Sequence, residues 1–165
     1  MADPAVPKFT GLRVLIIDDS KTIRKSAEVL LRKEGCEVFT AVDGFAALPL
    51  LPEIRPQVIF VDIIMPRLDG YQTCAILKDS DQFRGVPVVM LSSKDGSFDR
   101  AKGNIVGAAH YLTKPFTRQD IATVLEEVAG NIQAQVVAQQ KSSSEQPSSG
   151  QFQTGGRPDE IMDTA

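Results

Sequence analysis

Apolar residues along this chain come in short unbroken runs, separated by longer stretches in which they recur every three or four positions. Leu12-Arg13-Val14-Leu15-Ile16-Ile17 is almost wholly aliphatic, as a strand is when helices cover both faces of its sheet. It stops at Asp18-Asp19-Ser20. From there Ile23, Ala27, Leu30 and Leu31 fall on one helical face, with Lys21, Arg24, Lys25 and Glu28 elsewhere, until Gly35 offers a C-cap. Runs of the first kind return at Glu37 to Val42, Gln57 to Val61 and Val86 to Leu91, with a shorter one from about Ala109 to Thr113. Helical periods separate them at Gly70 to Asp79 and Phe98 to Ala108. A last helix is expected from Arg118 to Ala129, with Ile121, Val124, Leu125 and Val128 facing inward. Asp43 to Glu53 occupies the place of the second helix, but Pro49 and Pro52 each remove an amide donor and crowd the preceding turn. A short or kinked helix is expected there.

Strands alternating with helices at these lengths predict an α/β fold, with a parallel sheet, right-handed crossovers and helices on both faces. Ligands of such sheets bind beyond the carboxyl ends of the strands. The first strand delivers Asp18 and Asp19 to that edge, the third Asp62, the fourth Ser92 and Ser93, and the fifth Lys114.

Composition narrows the possibilities. The chain has 165 residues, 42% of them hydrophobic and 24% charged, enough for one domain with a substantial core. Residues 11–130 are expected to form that domain, residues 1–10 a flexible N-terminus, and residues 131–165 a disordered tail rich in Gln, Ser and Gly. Ile132, Val136 and Val137 could prolong the last helix into it. The formal net charge is -3 with no basic stripe, which argues against nucleic acid as a direct partner. Nothing resembles a signal peptide or a membrane-spanning run, so a cytoplasmic protein without membrane insertion is expected. Cys36 and Cys74 lack metal-ligand spacing and read as small core residues. His110 reads as a packed or surface residue.

The residue types at the sheet edge suit one chemistry. Three close carboxylates repel unless a cation joins them, and hard oxygen donors with open positions suit Mg²⁺. A carboxylate is also a nucleophile able to form an acyl phosphate. A lysine neutralises phosphoryl oxygens, and a serine hydroxyl donates to one of them. Each part has a plainer explanation: Asp-Asp-Ser is good N-cap chemistry, Pro66 and Asp69-Gly70 are ordinary turn residues, and Lys114-Pro115 could be a simple strand exit. Those explanations would have to coincide at four strand ends.

The residues that carry this chemistry resemble the receiver domains of two-component response regulators, the CheY-like family. The matching segments are Val14 to Ser20, Val61 to Gly70, Val88 to Ser93 and Tyr111 to Phe116, in that order, and the likeness spans about Leu12 to Ala129. It implies a flavodoxin-like (βα)5 doubly wound sheet with strand order 2-1-3-4-5. Within the family, Asp18 to Arg24, Pro66 to Cys74 and Leu91 to Gly96 are most similar to single-domain regulators of type IV pilus twitching motility.

Carried over by position, the resemblance makes Asp62 the phosphoacceptor and Asp19 the principal metal ligand, with Asp18 acting through a metal-bound water. The Ile64 backbone carbonyl completes the metal shell. Ser92 is the switch hydroxyl with Ser93 beside it, Lys114 the phosphoryl-binding lysine, and Tyr111 the aromatic switch. Pro66 and Gly70 shape the turn, and Lys114-Pro115 is a cis bond. The implied phosphodonor is a chemotaxis-type histidine kinase. The implied protein target reads the surface of the fourth helix, fifth strand and fifth helix of a monomer that is a phosphoacceptor switch rather than a turnover enzyme.

Two positions stand apart: Ile64 and Lys94, each two residues past a site residue, match positions that in the family this chain resembles border the path of the water that hydrolyses the acyl phosphate. Two other functions compete. A haloacid dehalogenase-type enzyme needs Asp-x-Asp straight after the first strand, which Asp18-Asp19-Ser20 does not supply. A phosphorylation-independent interaction module on the same fold normally lacks a site residue, and here all are present.

Overall fold

The computed structural model describes residues 7–93 and 100–128. The expected tail, most of the expected N-terminal segment, and Lys94 lie outside the described residues.

Five strands form one parallel sheet: β1 (Arg13–Ile17), β2 (Glu37–Ala41), β3 (Val58–Asp62), β4 (Val88–Ser92) and β5 (His110–Thr113), in the order β2-β1-β3-β4-β5. Registers run Ile17 against Ala41 and Val61, Asp62 against Leu91, and Ser92 against Thr113. The strand ends are thereby level, and the residues at and just beyond them meet at one edge. Every residue of β3 and β4 is buried, which is why these runs are continuous rather than alternating. Asp62 and Ser92 were expected just past their strands, but each is the last residue of its strand. The sheet ladder itself therefore fixes their backbones.

Helix α1 (Lys21–Lys33) begins at Ser20, whose Oγ accepts from Ile23 N at 3.3 Å. It buries Ala27 and Leu31. Gly35, at φ 92°, turns the chain into β2, a backbone conformation that only glycine adopts freely. The second connection, α2, is helical in three pieces: Gly44–Ala47, a 3-10 turn Leu48–Leu50, and Leu51–Ile54. Pro49 and Pro52 each occupy the first turn of a piece, the position that tolerates a missing donor. The expected kink is thus taken up as a tightened turn.

Helix α3 (Gly70–Lys78) opens with a reciprocal capping box between Asp69 and Gln72. Helix α4 (Arg100–Val106) stops short of the expected Ala108, because Gly107 at φ 90° ends it. Residues 98 and 99 of that expectation are outside the described residues. Residues 118–128 form α5, burying Ile121, Val124, Leu125 and Val128 as their spacing predicts. Cys36 and Cys74 are buried, and burial pushes their thiols up to about 12 and about 11. Neither is a reactive thiolate at neutral pH. Among the described residues, no helix is long and apolar enough to cross a membrane.

Candidate functional site

The sheet edge gathers the acidic residues singled out by their positions. Asp18, Asp19 and Asp62 place carboxylate oxygens within 4.8 Å of one another. Asp18 is fully buried and Asp62 is 5% exposed, while Asp19 faces solvent. Asp18 is held from three sides. Its Oδ1 accepts from Ser20 N at 2.8 Å, its carbonyl accepts from Arg24 Nη1 at 2.7 Å, and its amide donates to Ala41 O at 3.2 Å.

Lys114 supplies the internal counter-charge. Its Nζ donates to Asp62 Oδ1 at 2.9 Å and lies 3.5 Å from Asp18 Oδ2. Its backbone amide donates to Ser92 O at 2.8 Å, and its peptide bond to Pro115 is cis.

One ammonium does not balance two buried carboxylates. Burial pushes the Asp62 carboxyl up to about 6, against the Lys114 hydrogen bond, and the Asp18 charge pushes in the same direction. Burial also raises Asp18, with the Ser20 amide and Lys114 opposing. For Lys114, burial favours the neutral amine, but the hydrogen bond to Asp62 and the charges of Asp18 and Asp62 outweigh it and raise its pKa. The cluster is therefore short of positive charge. Its all-oxygen donor set suits a small divalent cation, which would hold these carboxylates ionised.

Ser92, Gly70, Ile64 and Tyr111 lie on or beside β3, β4 and β5. Ser92 is 1% exposed, and among the described residues its Oγ is the one buried side-chain oxygen or nitrogen without a hydrogen-bond partner. A buried hydroxyl left unsatisfied costs about 1–3 kcal/mol unless a ligand completes it. Gly70 packs directly on the end of β3: a Cβ there would lie 2.5 Å from Asp62 O and 2.8 Å from Ile63 Cα. Nothing larger fits without moving the backbone of Asp62. Ile64 is 61% exposed, an apolar side chain standing at the rim. Tyr111 is half-buried on β5, and its hydroxyl donates to Asn104 Oδ1 of α4 at 3.3 Å.

Sequence reasoning missed two groups. Arg24 reads from periodicity only as part of the polar face of α1, although it binds the Asp18 carbonyl. Asp43, just past β2, pairs with Arg67, in the loop after β3, at 2.6 Å, a contact between distant segments with no local signal.

Comparison with known proteins agrees with this arrangement. Residues 14–126 match the response regulator receiver domain family. The protein PilG of Pseudomonas aeruginosa is 59% identical over 126 residues, which cover 76% of this chain and 88% of PilG. Among solved structures, the chemotaxis protein CheY4 of Vibrio cholerae is similar, with a TM-score of 0.68 and 32% identity over 72% of this chain and 99% of that one. The receiver domain of a sensor histidine kinase from Pseudomonas aeruginosa has a TM-score of 0.67 and 28% identity, covering 73% of this chain and 99% of that one. It is described with a magnesium ion coordinated in its active-site cleft. With the strand order, the level strand ends and the acidic cluster, these matches establish that the chain belongs to the response regulator receiver domain family.

Proposed function

We propose that this protein is a response regulator whose receiver domain accepts a phosphoryl group on Asp62 from a histidine kinase and signals by changing shape. The observation that carries this is the pairing of a buried, charge-deficient Asp62 with the orphaned hydroxyl of Ser92 one strand away. A phosphoryl group on Asp62 completes the hydroxyl, its oxygens accepting from Ser92 Oγ and Lys114 Nζ, while the missing positive charge is what Mg²⁺ would supply.

Asp19, Asp62 and the backbone carbonyl of Ile64 are the residues that would hold Mg²⁺, with Asp18 acting through a metal-bound water. When bound, the ion neutralises the carboxylates and the incoming phosphoryl oxygens. An Asp62 oxygen then attacks phosphorus; the O–P bond forms as the N–P bond of the donor phosphohistidine breaks, and the imidazole leaves with the electron pair and takes up a proton. Lys114, already 2.9 Å from Asp62 Oδ1, moves its hydrogen bond to the phosphoryl group. Ser92 turns onto another phosphoryl oxygen. Tyr111 gives up its contact with Asn104 and turns inward, repacking the surface of α4, β5 and α5 that a protein target reads. The two phosphorylation-dependent contacts exist only in the active arrangement, which is what shifts the population.

The likeness to PilG supports a chemotaxis-type kinase as donor and a role in type IV pilus twitching motility. The working compartment is then the cytoplasm, and the receiver domain over residues 11–130 acts as a monomer with residues 131–165 as its tail. Incubation of the full chain with acetyl phosphate and Mg²⁺, followed on a phosphate-affinity gel, tests the assignment. A retarded band is expected in wild type and absent with EDTA or in Asp62→Ala. The same shift in Asp62→Ala would defeat it.

Ile64 sets the lifetime of that band. An apolar side chain at the rim cannot orient a hydrolytic water, so Ile64→Asn is expected to lose the phosphoryl group several-fold faster in a chase from which acetyl phosphate is removed by desalting and Mg²⁺ is kept. Equal or slower loss contradicts this role.

A further inference from the structure

Arg67 lies in the loop that leaves Asp62 for α3, and its backbone is left-handed at φ 70°. A long side chain in that region is strained and persists only where the surroundings hold it. Here the hold is visible. Nη2 donates to Asp43 Oδ2 at 2.6 Å, and the guanidinium carbon stands 5.1 Å from the centre of the Phe45 ring, within cation–π range.

Asp43 is 7% exposed, although the Arg67 side chain is 66% exposed. Its second oxygen, Oδ1, accepts from Ala46 N at 2.8 Å and so caps α2. Both contacts hold the Asp43 carboxyl below the usual carboxylate range, the Ala46 amide most strongly. One ionised carboxylate is thus shared between the first turn of α2 and the loop that follows the phosphoacceptor.

Two backbone bonds fold this loop onto itself and its own start: Leu68 N donates to Pro66 O at 2.8 Å and Gly70 N to Ile63 O at 2.9 Å. Side chains tie its outer part to the rest of the sheet edge. Leu68 packs over Gly44, where a Cβ would come within 2.5 Å of its Cδ2, and Arg67 clamps Asp43 and Phe45 beside it. The loop between these ties carries the Ile64 carbonyl.

We infer that Arg67 is a positioning residue for cation binding at the acidic cluster, acting through its ion pair with Asp43 and its stacking on Phe45 to fix the loop that carries the Ile64 carbonyl. This rests on the assignment of that carbonyl as a ligand. It makes the first turn of α2 part of the site's support, although α2 contributes no ligand. The forked guanidinium matters, because it reaches the carboxylate and covers the ring together, which an ammonium does less well.

The test is a calorimetric titration of the full chain with MgCl₂, alongside the thermal midpoint of each metal-free variant. Arg67→Ala and Arg67→Gly are each expected to weaken Mg²⁺ binding roughly tenfold, as loss of an outer support to a metal site does. Arg67→Lys should recover part of the affinity. Asp43→Asn, which keeps the helix cap but removes the charge, should weaken binding several-fold. Wild-type affinity in Arg67→Gly would assign everything to backbone conformation and overturn the brace. So would unchanged affinity in Arg67→Ala, or equal losses of midpoint in all variants with affinity intact. Absence of Mg²⁺ binding in wild type would instead bring down the underlying metal assignment.

Discussion

In metal-free protein, Asp62→Asn raises the thermal midpoint at pH 8 by roughly 10 °C, a gain that fades toward pH 4. The cause is the Asp62 carboxyl, which burial, joined by the Asp18 charge, pushes from 3.8 up to about 6 against the Lys114 hydrogen bond. The folded chain therefore holds that proton more tightly than the unfolded chain does. Below pH 3.8 both states are protonated and the group costs nothing. Between 3.8 and about 6 the unfolded chain ionises first, so stability falls as pH rises, and above about 6 the whole penalty is present. At roughly 1.4 kcal/mol per pH unit its ceiling is about 3 kcal/mol. Asparagine keeps the shape and an acceptor for Lys114 but never ionises. Saturating Mg²⁺ should narrow the gap by stabilising wild type, the better ligand. Differential scanning fluorimetry from pH 4 to 8 checks this; a lower midpoint for Asp62→Asn at pH 8, or a gain that grows toward pH 4, contradicts it.

Lys114→Ala acts on the same charges with the opposite sign. Nζ is the cation 2.9 Å from Asp62 Oδ1 and 3.5 Å from Asp18 Oδ2, on a side chain only 17% exposed. Removing it strands both carboxylates, and the metal-free protein should lose about 3 kcal/mol at pH 8. The raised lysine pKa means that its contribution is complete below the unfolded value of 10.5 and is lost only as pH climbs past it. Below about pH 6 the loss should shrink for another reason, because Asp62 takes up a proton. The two substitutions share a carboxylate, so their effects should not add: Lys114→Ala should cost much less in an Asp62→Asn background. Urea denaturation of the four proteins measures the coupling. Strict additivity would mean that the pair does not interact.

How much of this is legible in the sequence depends on how local each feature is. Asp62 can be picked out because an aliphatic run ends on it, and parallel strands with level ends carry such residues to one edge. Ser20 as a cap and the inward face of α5 are equally readable, since they depend on neighbours within one turn. Helix ends are less so. Gly107 stops α4 before Ala108 through a left-handed turn, a choice glycine permits but does not announce. The prolines of α2 are visible, but their resolution into a 3-10 turn is not, because each falls in a first turn where it does little harm. The Arg67–Asp43 tie is beyond reach: neither residue shows its partner until the sheet sets the β2 and β3 ends on either side of β1. The depth of charge deficiency is also hidden, since it comes from burial of Asp18 and Asp62 rather than from their spacing.

The most direct measurement is to trap the acyl phosphate chemically. The full chain, phosphorylated with acetyl phosphate and Mg²⁺, is reduced with borohydride, which converts an aspartyl phosphate to homoserine, and is then digested and sequenced by mass spectrometry. Homoserine at position 62 is the expected result. Homoserine at Asp18 or Asp19 with Asp62 unmodified, or at no position while the retarded band persists, would contradict a phosphoryl switch centred on Asp62.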